Sequence, residues 1–260
     1  MATRPTPTAE YFDGWYANMV GRPVKDEIQR RHLGLPADML STSSLPWDGI
    51  ADVVEALELS SGDTLLDLAC GRGGYGLEIA DRTGARLVGV DFSAEAVRQA
   101  SENARQRGRT ADFRLGDLAA TGLDAGSVDA VLCVDSIQFA EPPDAAYREL
   151  RRVLVPCGRA VLTCWEPLHV DDERLPDRLR TIDLRKGLQS SGFDNVEVRD
   201  RPEWRERENA MWREALAVES SGDPALQSFH DEGVRSAENF PLLRRVMAVA
   251  SAPGAVGSTK

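Results

Sequence analysis

The segment with the most chemical content is LLDLACGRGGYG, residues 65–76. Gly71, Gly73 and Gly76 satisfy G-x-G-x-x-G directly after a short apolar run and ahead of a helical pattern. Glycines at that spacing let the backbone turn tightly and approach a ligand closely, while the following helix points its N-terminal N–H groups at it. A dinucleotide site satisfies the same pattern. Asp67 argues against that reading, because a carboxylate four residues ahead of Gly71 would face a diphosphate with like charge. It suits a ligand that carries an ammonium group and a sulfonium.

Three later stretches place chemistry at the ends of predicted strands. VGVDFS brings Asp91 and Phe92 about twenty residues past the glycines, where a carboxylate can accept two hydrogen bonds at once. RLGDLAATGL carries Asp117 and Leu118, and VDAVLCVDSIQF carries Cys133, Val134 and Asp135. In this order the chain resembles class I methyltransferases, whose first motif reads roughly (V/L)-(L/D)-D-x-G-C-G-x-G. Leu65 to Gly73 match it with one departure, Ala69 in place of the usual glycine. That methyl group costs clearance and is expected to be tolerated with a small shift of the loop. ELRRVLVPCGRAVLT resembles the family's E-x-x-R-V-L-(K/R)-P-G-G passage, which is structural, so Glu149 and Arg152 receive no site role.

The resemblance is strongest over residues 50–165 and extends to the ubiquinone-biosynthesis C-methyltransferases and natural-product enzymes. It implies S-adenosylmethionine as cofactor, with S-adenosylhomocysteine as product. It also implies contacts from Asp67, Ala69, Cys70, Gly71, Gly73, Asp91, Phe92, Asp117, Leu118 and Cys133. Asp91 would take the ribose hydroxyls, Phe92 would pack on the adenine, and Asp117 with Leu118 would read its edge. The implied fold is α/β: a Rossmann-like, doubly wound, mostly parallel seven-stranded sheet.

Methyl transfer from a sulfonium is an in-line displacement with a donor that is already activated. The protein's first tasks are alignment and a dry pocket. A general base is needed only if the nucleophile still holds its proton at the rate-limiting point. The expected catalytic candidates are His169 beyond the fifth strand, Tyr16 and Asp135, with Glu166 behind them; His32 reads as a surface residue of a charged helix. For the acceptor the expected lining is Tyr11, Trp15, Trp47, Gln138, Trp165, Trp204 and His230. Two rival classes share the glycine loop: an NAD-dependent oxidoreductase and a non-catalytic S-adenosylmethionine-binding protein. The first would want a Tyr-x-x-x-Lys pair, and Lys25, Lys186 and Lys260 provide none.

The elements that must position these residues follow from periodicity. Apolar strands are expected at 64–69, 86–91, 112–115, 128–134 and 159–165, separated by helices at 76–82, 94–107 and 145–153; alternation of this kind makes a parallel sheet. Another helix is expected over 175–190, and further strands at 195–201 and 244–250. The forty-odd residues between those two strands carry helical stretches at 203–219 and 224–237, far more than a hairpin needs. We therefore expect one domain: a helical lid over 1–49, a core over 50–202 and 243–252, and a cap over 203–242. Residues 1–9 and 254–260 read as a flexible lead and a frayed end.

Composition bounds the partners. A net charge of −11 would repel a phosphate backbone, so nucleic acid is not expected. Cys70, Cys133, Cys157 and Cys164 sit in or beside apolar runs without C-x-x-C spacing, as buried thiols of a reducing compartment do. With no signal-like or membrane-spanning run in sight, the expectation is a cytoplasmic monomer or homodimer acting on a small molecule, without metal.

Overall fold

The computed structural model describes residues 7–219 and 222–255, so most of the expected lead and frayed end lies outside the described residues. Among these residues seven strands form one sheet: β1 (Thr64–Leu68), β2 (Arg86–Asp91), β3 (Asp112–Leu115), β4 (Val128–Val134), β5 (Leu154–Pro167), β6 (Asp194–Asp200) and β7 (Leu243–Ser251). Their order is β3-β2-β1-β4-β5-β7-β6, and β7 runs antiparallel to both of its neighbours. The order reverses between β1 and β4, and at such a switch point the carboxyl ends of the strands open a crevice. β1 and β4 read as nearly continuous apolar runs because a sheet covered on both faces buries every side chain. Leu65 and Leu132 enter one apolar layer while Leu66 and Val131 enter the other.

Among the described residues, ten α-helices flank the sheet: α1 (Ala9–Ala17), α2 (Pro23–Leu33), α3 (Gly49–Leu57), α4 (Gly74–Thr83), α5 (Ala94–Gln106), α6 (Pro143–Val153), α7 (Asp177–Arg180), α8 (Leu184–Ser190), α9 (Pro202–Ala217) and α10 (Pro224–Asn239). Ser93 caps α5 by accepting from the Ala96 amide. The helix expected across 175–190 is broken into α7 and α8, because Asp183 accepts from the Lys186 amide and starts a new helix. Pro156–Gly158, ahead of the strand expected at 159–165, lies inside β5. Leu154 pairs with Val128, the register shifts, and pairing resumes at Arg159 with Ala130. Cys157 takes φ +65 in that irregular stretch.

The N-terminal helices and the insertion between β6 and β7 meet as one helical layer. His32 Nε2 on α2 lies 2.6 Å from Glu214 on α9, and Arg31 pairs with the same carboxylate. The rings of Trp212 and Phe229 hold α9 to α10 at 5.0 Å. Trp204, expected to touch substrate, is instead a core residue. It is 2% exposed, and a Cβ at Gly49 would stand 2.7 Å from its ring.

Candidate active site

The turn from β1 into α4 is built from left-handed backbone. Ala69, Gly71 and Gly73 have φ of 58°, 53° and 76°. The departure at Ala69 is therefore one of backbone conformation more than of clearance: an L-residue there costs roughly 1–2 kcal/mol. The glycines are sterically required as well. A Cβ at Gly73 would lie 2.9 Å from the Phe113 ring, and one at Gly76 would lie 2.5 Å from Oδ2 of Asp67.

Two buried carboxylates stand beside this loop. Asp67 is 3% exposed and accepts from the Gly76 amide at 3.1 Å; burial pushes its pKa up to about 7. Asp91 accepts from the Gly71 amide at 2.8 Å and the Ser93 amide at 2.9 Å, and burial holds it at about 6. Each carboxylate oxygen has a second lone pair for a ligand. The thiols of Cys70 and Cys133 are pushed up by burial and stay protonated, so they shape the site rather than react in it. Asp117 is exposed and folds its carboxylate onto the Ala119 amide; its turn is tied to the Asp91 carbonyl through the Gly116 amide. Asp67, the loop, Asp91, Phe92 and the turn at Asp117–Leu118 thus gather at the carboxyl ends of β1, β2 and β3.

Helix α1 roofs this place. Asp13 accepts from the Ser93 hydroxyl at 2.6 Å and the Glu95 amide at 3.1 Å, and Gln99 donates to the Tyr16 carbonyl at 2.9 Å. Phe12 meets Phe92 at 5.4 Å and Phe139 at 5.8 Å. Trp15 donates to Ser228 of α10, whereas Tyr11 is 52% exposed on the outer side. The Tyr16 hydroxyl lies 2.9 Å from where a Gly71 Cβ would be and shares a hydrogen bond with Thr42. Burial beside Asp91 raises that phenol, so it acts as a donor. The segment around Thr42 is strapped down by the Ser44 amide on Asp135 and by Tyr75 on the Leu45 carbonyl. Asp13 and Thr42 are not singled out by the sequence; the run STSS, four hydroxyls ahead of a glycine loop, is the available signal for Thr42.

Comparison with known proteins points to a family. Residues 65–158 match the family described as "Methyltransferase domain". That match, together with the curated relatives and the structural neighbours, supports a class I S-adenosylmethionine-dependent methyltransferase. It is 27% identical to a phosphoethanolamine N-methyltransferase of Triticum aestivum, over 70% of this chain and 37% of that protein. It is 34% identical to a ubiquinone biosynthesis O-methyltransferase of Xanthomonas axonopodis pv. citri (strain 306), over 40% of this chain and 43% of that one. The chain thus spans less than half the length of these curated relatives. Among solved structures it superposes on the Haemonchus contortus phosphoethanolamine N-methyltransferase 2 in complex with S-adenosyl-L-methionine. There the TM-score is 0.72 at 17% identity, over 92% of this chain and 60% of that one. It also superposes on the [4+2]-cyclase SpnF, with a TM-score of 0.71 at 22% identity, over 97% and 99% of the two chains. At these identities the superpositions carry the fold.

Several expected site residues are engaged by other partners or stand away from the glycine loop. Asp135 is not a free base: one oxygen accepts from Thr163 at 2.7 Å and lies 2.5 Å from Arg245, and the other accepts from the Ser44 amide. His169 is exposed on the loop after β5, where its carbonyl meets the Asp172 amide. Glu166 is held by the Leu184 amide and Arg244. Gln138 donates to the Asp135 carbonyl and accepts from Cys164, and Trp165 donates to Glu208. Trp47 stacks on Arg82 at the far end of α4 from the loop, so it cannot line a pocket there. His230 sits on α10 with Nδ1 3.8 Å from Asp231. Of the three catalytic candidates, Tyr16 alone is brought to the glycine loop. Among the described residues, no three His, Cys, Asp or Glu side chains are grouped as a metal site groups them, and no helix is long and apolar enough to cross a membrane.

Proposed function

We propose that this chain transfers the methyl group of S-adenosylmethionine to a small-molecule acceptor. The reading rests on one observation: Asp67 and Asp91 are buried together at the glycine cradle, and no cation offsets the burial that raises both. Such a pair favours a positively charged ligand over a diphosphate. Bound there, the cofactor supplies a methyl group already activated on sulfur. Asp67 would face its ammonium end, Asp91 its ribose hydroxyls, and Phe92 with the Asp117–Leu118 turn its adenine. Helices α1 and α2 with α9 and α10 would act as the lid that keeps water out, Phe12 and Trp15 offering aromatic surface to an apolar, natural-product-like acceptor. Because Asp135 is held by Thr163, Arg245 and the Ser44 amide, and His169 stands exposed on the loop after β5, the reading favours a nucleophile at carbon, oxygen or nitrogen that needs no side-chain base.

Calorimetric titration with S-adenosylmethionine and NAD side by side tests the cofactor. Binding of the first and not the second is expected, and the reverse would sink the proposal. Asp91→Ala should weaken S-adenosylmethionine by about 1–3 kcal/mol, the size of lost charged hydrogen bonds; an unchanged dissociation constant would remove the ribose assignment.

Protons give an independent check. With values of about 7 and about 6, Asp67 and Asp91 together hold about one proton in the free protein at pH 6.5. A cationic ligand lowers both values, so binding should release up to about one proton at pH 6.5 and almost none near pH 8.5. Titrations in phosphate and in Tris separate the two cases; no release at pH 6.5 would mean that neither carboxylate meets the cation.

The likeness to SpnF, named as a [4+2]-cyclase, supports a second reading in which the cofactor is bound but no methyl group is passed on. Formation of S-adenosylhomocysteine in an acceptor screen separates the two.

A further inference from the structure

Behind the glycine loop lies a crevice that methyl transfer, as proposed, does not use. Its volume is about 480 Å³, and it runs along the seam between lid residues 37–40 and the ends of α4 and α5. Neither Asp67 nor Asp91 lines it. Two of its lining residues hold the glycine loop from behind. Asn103, 3% exposed, donates from Nδ2 to the Arg72 carbonyl at 3.0 Å, and the Leu40 carbonyl is packed on Gly74. The charges of the wall are tied in one chain. Arg109 Nε lies 2.8 Å from Asp81, whose other oxygen is 3.5 Å from Arg107. Arg107 also meets Glu78 at 3.2 Å, and Glu78 in turn takes Arg82 at 2.8 Å. Asp38 stands 4.0 Å from Arg107, beyond hydrogen-bond reach. With Asp38, Glu78 and Asp81 set against Arg82, Arg107 and Arg109, the wall carries no net charge. Two of its members keep capacity at the surface: the side chains of Asp38 and Arg109 are 67% and 53% exposed. A guanidinium has more N–H donors than one carboxylate can fill. Nη1 of Arg107 is moreover buried without a hydrogen-bond partner, which is a cost to the folded chain.

We propose that this crevice is an effector site for a small zwitterion, an α-amino acid with an aliphatic side chain. The ammonium end suits Asp38, the carboxylate suits Arg109 with Arg107 beside it, and the side chain suits Ala37 and Leu40. A ligand with a single charge would unbalance a neutral wall; one with two opposite charges does not. A crevice of this size admits such a molecule. Its occupant fixes Leu40 and Asn103 where they hold the loop. It should therefore tighten cofactor binding, and the cofactor should tighten it by the same factor. The site itself stands apart from the cofactor reading above, whereas its effect on the loop rests on that reading.

Leucine is the probe, beside isoamylamine, which lacks its carboxylate, and 4-methylpentanoate, which lacks its ammonium group. Binding is followed by ligand-observed NMR on the full chain saturated with S-adenosylhomocysteine, so that the glycine cradle is closed to leucine. Leucine should bind, and each single-ended form should bind about tenfold more weakly or less, as loss of a charge-assisted contact implies. Asp38→Asn and Arg109→Gln, both at exposed positions, should weaken leucine by about fivefold or more and leave S-adenosylhomocysteine within about twofold. Saturating leucine should tighten S-adenosylhomocysteine by about fivefold in calorimetry on the wild type. The proposal is overturned if leucine does not bind, if a single-ended form binds as well, or if both variants take leucine as the wild type does. Leucine binding with no change in S-adenosylhomocysteine affinity overturns the effector role. A wild-type chain that binds no S-adenosylhomocysteine ends the cofactor reading, and leucine titrated into the free chain and the two variants then decides the crevice alone.

Discussion

Exchanging Arg245 for methionine is expected to lower folding stability by about 3–5 kcal/mol, the range for breaking a buried ion network from one side. Arg245 is 1% exposed on β7, 2.5 Å from Asp135, 3.8 Å from Glu208 and 4.3 Å over the Trp165 ring. Glu208 also takes the indole N–H groups of Trp165 and Trp212, so the arginine joins the cap helix α9 to the end of β4. Without it, two carboxylates are left in the interior with only neutral donors. The pH dependence has a definite sign. Glu208 is already pushed up to about 7, and a carboxyl raised in the folded state binds more protons folded than unfolded between its two values. Stability therefore falls as pH rises through that window, and the variant should lose more at pH 8 than at pH 5. Urea denaturation at both values measures it. Adding Asp135→Asn and Glu208→Gln should recover part of the loss; a single-variant loss below about 1 kcal/mol would mean that solvent reaches the network.

Gly74→Ala is expected to destabilise the chain by about 1–3 kcal/mol, or more, and to weaken nucleoside binding with it. Gly74 is the first residue of α4, and a Cβ there would overlap the carbonyl oxygen of Leu40, with the carbonyl carbon at 2.9 Å. The backbone of residues 40–44 cannot step aside freely, because Ser44 is hydrogen-bonded to Asp135 and Thr42 stands over Gly71. Gly14→Ala is the matched control. That position on α1 has nothing within 4 Å, so alanine should be neutral or stabilise by about 0.5–1 kcal/mol. Thermal denaturation of the two variants, with S-adenosylhomocysteine titrated into each, tests the pair; equal stability of both would mean that the Leu40 segment is not seated on the loop.

Much of the site was legible in the chain because its parts are local. A strand, four glycines and a helix start lie within the twelve residues 65–76, and Asp67 and Asp91 are set by strand ends that apolar periodicity marks. Ala69 shows where local reading stops. Its replacement of glycine was visible, but the left-handed φ that gives the replacement its cost belongs to the folded turn. The division of α7 from α8 was missed because helical spacing runs through Asp183, and only the observed cap separates the two.

The side chains outside the motif divide differently. Trp204 and Trp165 are the same residue type in comparable apolar settings, yet one fills the space at Gly49 and the other donates to Glu208. Residue type cannot distinguish these outcomes, since an aromatic ring gains from any dry contact and its partner is set by packing. Asp135 is the same case among acids: its position at the end of β4 could be read, but its neighbours Arg245 and Thr163 come from β7 and β5. Sequence alone, then, determined the sheet, the glycine cradle and the two acids beside it, because strand period and turn chemistry act over a few residues. Tertiary structure decided which acids remain available and what covers them, because burial and ion pairing depend on residues a hundred positions away.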